Sequence, residues 1–218
     1  MPLRDAAAYS HLSAADPVLA QLIEWVGRPD PFTWAEREYP SSTNFEVMAL
    51  HIVGQQISTA AAMTIYRRLS DAAGGAVSPE GLLALPWAKA GYVHDLARRQ
   101  AEGVIDLEGM VGVDDAAALA ALTAVRGVGL WSAQMFLVHQ LKRADVLPAG
   151  DIGIRRAVQR AWQLDAVPGV EETRRRALPW SPYRTYAAAL LWASLAAPPP
   201  PAQRTAGAVR PGVREEAR

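Results

Sequence analysis

"AVRGVGLWSAQMFLVHQLKRADVLPAGDIGIRRAV" occupies residues 124–158. Gly127 and Gly129 bracket Val128, and a long apolar run follows. Asp151 then heads a segment that carries Arg155 and Arg156. A Gly-x-Gly between two apolar segments is a turn that tolerates positive φ and the close approach of another backbone. The first amides of the helix behind it point outward, and the helix dipole favours an anion there. Gly127, Val128 and Gly129 can therefore hold a phosphate, or simply join two helices, because glycine often ends a helix. Leu122, Val125, Val128 and Ala133 give the hairpin apolar anchors on both sides. Asp151 also has two readings. Aspartate is among the best helix N-caps, and Pro148 and Gly150 suit a loop entering a helix. An acid at a helix mouth that faces a cleft can also keep its charge and stabilise a cation.

Outward from this stretch the chain reads helical. Asp16 is an N-cap acid with Pro17 at the first helical position. Val18, Leu19, Leu22, Ile23 and Val26 follow at helical spacing. "GRPDPFTWAEREYPSS" is a Pro-rich aromatic connector. A helix beginning in "TNFEVMALHIV" ends near residues 54–56, and Ser58 suits the cap of the next. Ser78 opens another capped segment. Further helices are expected over 90–102, 114–125, 130–141, 151–162, 170–177 and 183–197. No stretch alternates apolar and polar residues, so no sheet is expected. From Ala197 the chain turns to "APPPPAQRTAGAVRPGVREEAR", a tail with little to bury.

Composition narrows the class. The chain has 218 residues, 50% hydrophobic, which supports a core in one domain or in two tightly packed lobes. Net charge is zero, so there is no global basic field of the kind that coats nucleic acid indiscriminately. A local basic face remains open, because nearly all the cations are arginine, whose fork suits phosphate. The chain has no cysteine, which excludes disulfides, thiolate zinc and cysteine-held iron–sulfur clusters. His11, His51, His94 and His139 form no pair at metal-ligand spacing. The N-terminal segment lacks the apolar stretch of a signal peptide, and no apolar run reaches the roughly 18 residues of a membrane span. The expectation is a soluble intracellular protein without metal or cofactor, in cytoplasm or nucleoid if bacterial.

Two more groups of residues bear on function. "HIVGQQIS" (51–58) breaks at Gly54 and places Gln55 and Gln56 in a loop between helices. They are either solvated or available to fill a gap in a base stack. Trp131, Trp180, Tyr183, Tyr186 and Trp192 suit core packing, although those near the last helix can also wall a pocket.

Together these segments resemble the helix-hairpin-helix DNA glycosylases, and within them the alkylbase branch, 3-methyladenine DNA glycosylase II. The resemblance runs from about Asn44 to Trp192. "VRGVGLWSA" matches the family's hairpin. "GDIGIRR" matches its Asp-x-x-(Ile/Val)-x-Arg segment, with Asp151 in the catalytic place. "GQQIS" matches the segment that fills the vacated stack, and "YRTYAAALLW" the helix that walls the pocket. Strand-cleaving members carry a lysine two residues after the second hairpin glycine, where this chain has Trp131. The branch has an apolar wedge where this chain has Gln56, and a pocket tyrosine where it has Met135.

The resemblance implies an all-α fold of two helical lobes with a cleft between them. Residues 1–42 would be an N-terminal helix and connector packed with the C-terminal lobe. Residues 43–149 would form the lobe carrying the hairpin, 150–197 the C-terminal lobe with Asp151, and 198–218 a flexible tail. It implies a monomeric, monofunctional enzyme that binds double-stranded DNA containing a damaged base, flips that base out and hydrolyses its N-glycosidic bond. In these terms Asp151 is catalytic, Trp131, Met135, Tyr186 and Trp192 line the base pocket, and Gln56 with Gln55 forms the wedge. The hairpin at Gly127, Val128 and Gly129 holds a phosphate, helped by Arg155 or Arg156. No histidine or second carboxylate is visibly paired with Asp151. Three alternatives stay open: a glycosylase for a neutral lesion such as uracil or hypoxanthine, a non-catalytic hairpin module that binds DNA, and a helical protein-interaction domain.

Overall fold

A computed structural model describes residues 3–32, 43–55, 59–85 and 91–198. Among the described residues the secondary structure is entirely helical, as expected. Asp16 shows how the chain begins. Its N–H closes α1 (Leu3–Ala15) on Leu12 O at 3.1 Å. Its side chain accepts from Val18 N–H at 2.9 Å and so caps α2 (Pro17–Val26). Asp16 Oδ2 also accepts from the Trp180 indole at 3.2 Å. One residue thus stops a helix, starts the next and ties both to the far end of the chain. The sequence reading begins its first helix at Asp16; α1 is a further helix ahead of it.

The helices gather around two apolar clusters. The first holds Phe45 and Met48 of α3 (Asn44–Val53), Leu82 of α5 (Pro79–Leu83), and Leu96 of α6 (Gly91–Ala101). It is completed by Leu122 of α7 (Asp115–Thr123) and Phe136 of α8 (Leu130–His139). Helix α4 (Thr59–Ala72) adds Leu69. Thr43 caps α3 with a reciprocal box: its Oγ1 accepts from Glu46 N–H at 3.2 Å, and Glu46 returns a carboxylate to Thr43 N–H at 3.3 Å.

The second cluster joins the two ends of the described chain. Tyr9 and Leu12 of α1 and Leu19 of α2 pack with Ile154 of α9 (Ile152–Ala161), Trp180, and Leu190 of α11 (Arg184–Ala196). Helix α10 (Val170–Arg176) connects α9 to the turn before α11. Each fully buried Leu or Ile here contributes roughly 1.5–3 kcal/mol of transfer free energy. Val146 belongs to the first cluster and Leu147 to the second, so the chain passes from one to the other just before Asp151. Trp192 packs against both. Among the described residues no helix is long and apolar enough to cross a membrane.

Candidate active site

The hairpin lies between α7 and α8. Gly127 has φ +88°, a conformation L side chains seldom adopt. A Cβ there would also lie 2.5 Å from Tyr92 Cγ, so glycine is required twice over. Gly129 differs. Its φ of −82° and ψ of 167° are ordinary extended backbone, and nothing lies within 4 Å of a Cβ built on it. It opens α8 with no side-chain cap, so the first-turn amides of α8 are left to other partners.

Three groups hold the hairpin from behind. Gln55 Nε2 donates to Gly127 O at 2.6 Å and lies 3.4 Å from Ser132 Oγ. Asp95 Oδ2 accepts the Arg126 N–H at 3.1 Å. The Arg126 guanidinium lies over the Tyr92 ring, 5.4 Å from its centroid. Asp95 is itself clamped by Arg98 and Arg99, each at 2.8 Å. Desolvation pushes its carboxyl pKa up, but the two arginines and the Arg126 amide outweigh that and hold it at about 2. Gln55, expected beside Gln56 in the wedge, here braces the hairpin. Gln56 lies outside the described residues, as do Ser58 and the chain from residue 199 onward.

Asp151 is the N-cap of α9, with φ −66° and ψ 124°. Its Oδ1 accepts the Ile154 N–H at 3.0 Å. Its Oδ2 accepts the Trp131 indole N–H at 2.8 Å. The Trp192 indole N–H approaches Oδ1 at 3.5 Å. The capping geometry and the cleft-facing geometry, which the sequence leaves as alternatives, thus coexist in one carboxylate. Gly153 makes this possible, because a Cβ on it would lie 2.9 Å from Asp151 Oδ1 and 3.6 Å from Trp192 Cδ1. The sequence reading does not single out Gly153, since a glycine in the first turn of a helix carries no signal by itself.

Beside this carboxylate lies a cavity of about 520 Å³. Trp131, Met135, Trp192 and Asp151 line it together, and Trp131, 44% exposed, stands at its edge. Sequence reasoning missed other parts of the wall. Pro29, Asp30 and Pro31 come from the segment after α2, and His139 from the last turn of α8. Ala189, Ala193 and Ala196 of α11 leave the space that larger side chains would fill. His139 was legible, because it follows Trp131 and Met135 at intervals of four residues on one helix face. Burial pushes its imidazole pKa down to about 4, with smaller contributions from His51 and Lys142. Asp30, which accepts the Phe32 N–H at 2.8 Å, puts a second carboxylate on the cavity wall.

Tyr186 is a correction. It is fully buried and does not line the cavity. Helix α1 encloses it: Tyr9 packs edge-on at 5.7 Å, and the Tyr186 hydroxyl donates to Asp5 Oδ1 at 3.0 Å. Phe32 packs on it as well. Arg155 is half-buried and reaches Pro168 O at 3.4 Å, while Arg156 is exposed. Among the described residues no group of His, Asp and Glu has a metal-binding arrangement.

Helices around two apolar clusters, with a glycine hairpin and a capping aspartate beside a cavity, are shared with a class of DNA repair proteins. Residues 50–182 match the HhH-GPD superfamily of base excision DNA repair proteins; the chain belongs to that superfamily. A DNA-3-methyladenine glycosidase from Bacillus halodurans superposes with a TM-score of 0.73 at 28% identity, over 85% of this chain and 87% of that one. The Schizosaccharomyces pombe 3-methyladenine DNA glycosylase Mag1, solved in complex with abasic DNA, gives a TM-score of 0.69 at 25% identity, over 85% and 95%. A putative DNA-3-methyladenine glycosylase of Bacillus subtilis, YfjP, is 35% identical over 107 residues, 49% of this chain. The match spans only 37% of that relative's length.

Proposed function

We propose that this protein is an alkylbase DNA glycosylase, a monofunctional 3-methyladenine-releasing enzyme of base excision repair. The observation that carries the reading is Asp151, held by the Trp131 indole on the wall of a cavity large enough for a purine. A base inside a duplex is out of reach, so the damaged nucleotide is first flipped out, at a cost of a few kcal/mol. The hairpin amides before and within the first turn of α8 take the backbone phosphate, with Arg156 adding charge. Gln56 enters the vacated stack.

As the glycosidic bond breaks, positive charge grows at C1′ of the sugar. Asp151 faces that charge, and a fixed carboxylate in a water-poor cleft stabilises it far better than bulk water does. The bonds from Trp131 and Ile154 leave the carboxylate no reorientation to undergo at that moment. Water adds at C1′, and the products are a free base and an abasic site. Alkylation at a ring nitrogen makes the base cationic and its bond weak, so little acid catalysis is needed. The two indoles offer the cation a face worth roughly 0.5–2 kcal/mol each, and Asp30 adds negative potential on the same wall.

Strand cleavage would need an amine to form a Schiff base. Trp131 stands at the position where strand-cleaving relatives carry lysine. Lys142 is tied to Phe32 O at 2.9 Å and does not line the cavity; Lys89 lies outside the described residues. The protein is proposed to act as a monomer on duplex DNA carrying the damaged base. The test is base release from DNA treated with a methylating agent, with products identified by chromatography and borohydride added in parallel. Release of 3-methyladenine without a trapped protein–DNA adduct is expected. A preference for uracil or hypoxanthine at matched concentration, or a trapped adduct, would reject the reading.

A further inference from the structure

We propose that the Arg126 guanidinium, carried over the Tyr92 ring on the flank of the hairpin, is a second DNA-backbone contact that takes the phosphate next to the one at the hairpin amides. The inference rests on the glycosylase reading for its ligand, duplex DNA, and adds an anchoring residue that no part of that reading uses.

Three observations carry it. The first is charge. Arg126 is exposed, and the neighbouring acids of α6 are already taken. Asp95 is clamped by Arg98 and Arg99, and Arg98 also holds Glu102. Among these five residues three arginines stand against two carboxylates, which leaves one positive charge in excess at the hairpin. In a chain of zero net charge, such a local excess is what attracts an anion.

The second is placement. Tyr92 stands at the start of α6, 46% exposed. A Cβ on Gly127 would lie 2.5 Å from Tyr92 Cγ, so the ring abuts the turn itself. The centre of the Arg126 guanidinium lies 5.4 Å from the centroid of that ring. Arg126 is three residues ahead of Gly129, hence at most about 11 Å from it along the chain. A DNA strand carries a phosphate at every nucleotide. A strand seated on the amides that open α8 therefore brings an adjacent phosphate past this cation.

The third is availability. The Arg126 main chain is fixed, because its N–H donates to Asp95 Oδ2 at 3.1 Å. The contact with the ring is electrostatic and uses no acceptor. Among the described residues the guanidinium donors have no hydrogen-bond partner. The side chain is thus placed at its base by Asp95 and at its tip by Tyr92, with a planar fork of donors left over for the oxygens of a phosphate. Arg126 does not line the cavity, so it holds the strand and takes no part in breaking the glycosidic bond.

The experiment compares wild type with Arg126→Gln, which keeps a long side chain without the charge, Arg126→Lys, which keeps the charge, and Tyr92→Phe, which keeps the ring. The bond to Asp95 comes from the main chain and survives all three. A fluorescent duplex with a central abasic site, and the same duplex without it, are titrated by anisotropy between about 50 and 200 mM salt. Each phosphate contact contributes about 0.9 to the slope of log affinity against log salt. Arg126→Gln is expected to reduce that slope by about 0.9 on both duplexes and to weaken binding about ten-fold at the low-salt end. Arg126→Lys should keep the slope, and Tyr92→Phe should bind as wild type. In single-turnover release of 3-methyladenine from methylated duplex, Arg126→Gln should raise the enzyme concentration needed for half-maximal rate and leave the rate at saturation unchanged. An unchanged slope in Arg126→Gln, a slope lost in Arg126→Lys, or a lower saturating rate at unchanged affinity overturns the proposal. A loss in Tyr92→Phe assigns the contact to the tyrosine hydroxyl and overturns it as well. If wild type binds duplex but releases no base, the glycosylase reading fails and the slope still decides Arg126; if wild type binds no duplex, the proposal falls. Arg126→Ala repeats the titration should thermal melting show the glutamine variant unfolded.

Discussion

The Trp131 indole N–H donates to Asp151 Oδ2 at 2.8 Å across twenty residues of sequence. The same carboxylate caps α9 through its other oxygen, at 3.0 Å from Ile154 N. One oxygen belongs to the helix and the other to the cavity. The two contributions can therefore be separated by mutation. Asn caps about as well as Asp but cannot offset a cationic sugar, and with its oxygen on the Ile154 N–H its NH2 faces the Trp131 indole N–H, so that second bond is lost. Asp151→Asn is expected to fold with a loss of about 0.5–1.5 kcal/mol for that bond and to bind DNA, while base release falls at least about a hundred-fold. Trp131→Phe keeps an aromatic wall and removes the N–H. Its loss should appear in the rate of the chemical step more than in substrate affinity. Wild-type-like excision by Asp151→Asn would end the assignment.

The two hairpin glycines should behave differently, although the sequence treats them alike. Gly127→Ala forces a side chain into φ +88° and onto Tyr92. It is expected to cost on the order of 1–2 kcal/mol of stability and to weaken DNA binding through a disturbed hairpin. Gly129→Ala meets nothing within the molecule, so it should fold like wild type. Any loss of DNA affinity there reports a partner's backbone approaching the hairpin. That loss should be equal across sequences, because phosphate contacts position and do not specify. Thermal melting and duplex titration check both variants; unchanged affinity in Gly129→Ala would remove the hairpin from the DNA interface.

Much of this arrangement was legible because it is local. The Asp16 and Ser78 caps, the hairpin glycines and the Trp131–Met135 spacing are each decided within a few residues. Trp131, Met135, Trp192 and Asp151 line one cavity. What stayed hidden depends on contacts between distant segments. Helix α1 carries its buried face on Ala8, Tyr9 and Leu12 among other alanines, and so small an amphipathic contrast gives little periodic signal. Helix α1 covers the ring and hydroxyl of Tyr186, a burial that the match of the last helix alone does not reveal. Asp30 and its flanking prolines reach the cavity only because α2 packs on α11. The bond from Gln55 to Gly127 O spans seventy-two residues and leaves no local signal either.

Gly153 offers a test of how much the carboxylate position matters. A methyl group at this residue would lie 2.9 Å from Asp151 Oδ1, inside normal contact. Alanine is the better helix former by roughly 0.8–1 kcal/mol, but the oxygen it displaces is the cap of α9, and a weakened cap costs about as much, so Gly153→Ala should fold with a stability near wild type. The displaced carboxylate should nevertheless lose its alignment with the sugar, since shifts of an ångström are costly to positioned groups. A ten-fold or greater fall in base release, of the order of 10² at most, with unchanged DNA affinity and a melting temperature near wild type, is the expected combination. Normal activity would mean that the carboxylate tolerates being moved.

The pH dependence of stability should carry the signature of the buried imidazoles. His51 and His139 are both held neutral by burial, each with a pKa lowered to about 4 from an ordinary 6.5. Below about 6.5 the unfolded chain takes up protons that the folded chain refuses. Stability therefore rises with pH across the interval from about 4 to 6.5, and acidification through it is destabilising. Asp95 acts lower. Arg98, Arg99 and the Arg126 amide hold it at about 2 against an ordinary 3.8, so its contribution is complete above about 4 and is lost as pH falls toward 2. Denaturant unfolding from pH 7.5 down to pH 4.5 should show a steady loss, with His139 contributing on the order of 1 kcal/mol per pH unit at most. His139→Phe has no proton to bind in either state and should flatten this dependence without abolishing it, because His51 remains. Below pH 4, Asp95→Asn should show less further loss than wild type. A wild-type stability that is level between pH 7.5 and 4.5 would contradict the assignment of two histidines, His139 buried and His51 half-buried, that desolvation holds neutral.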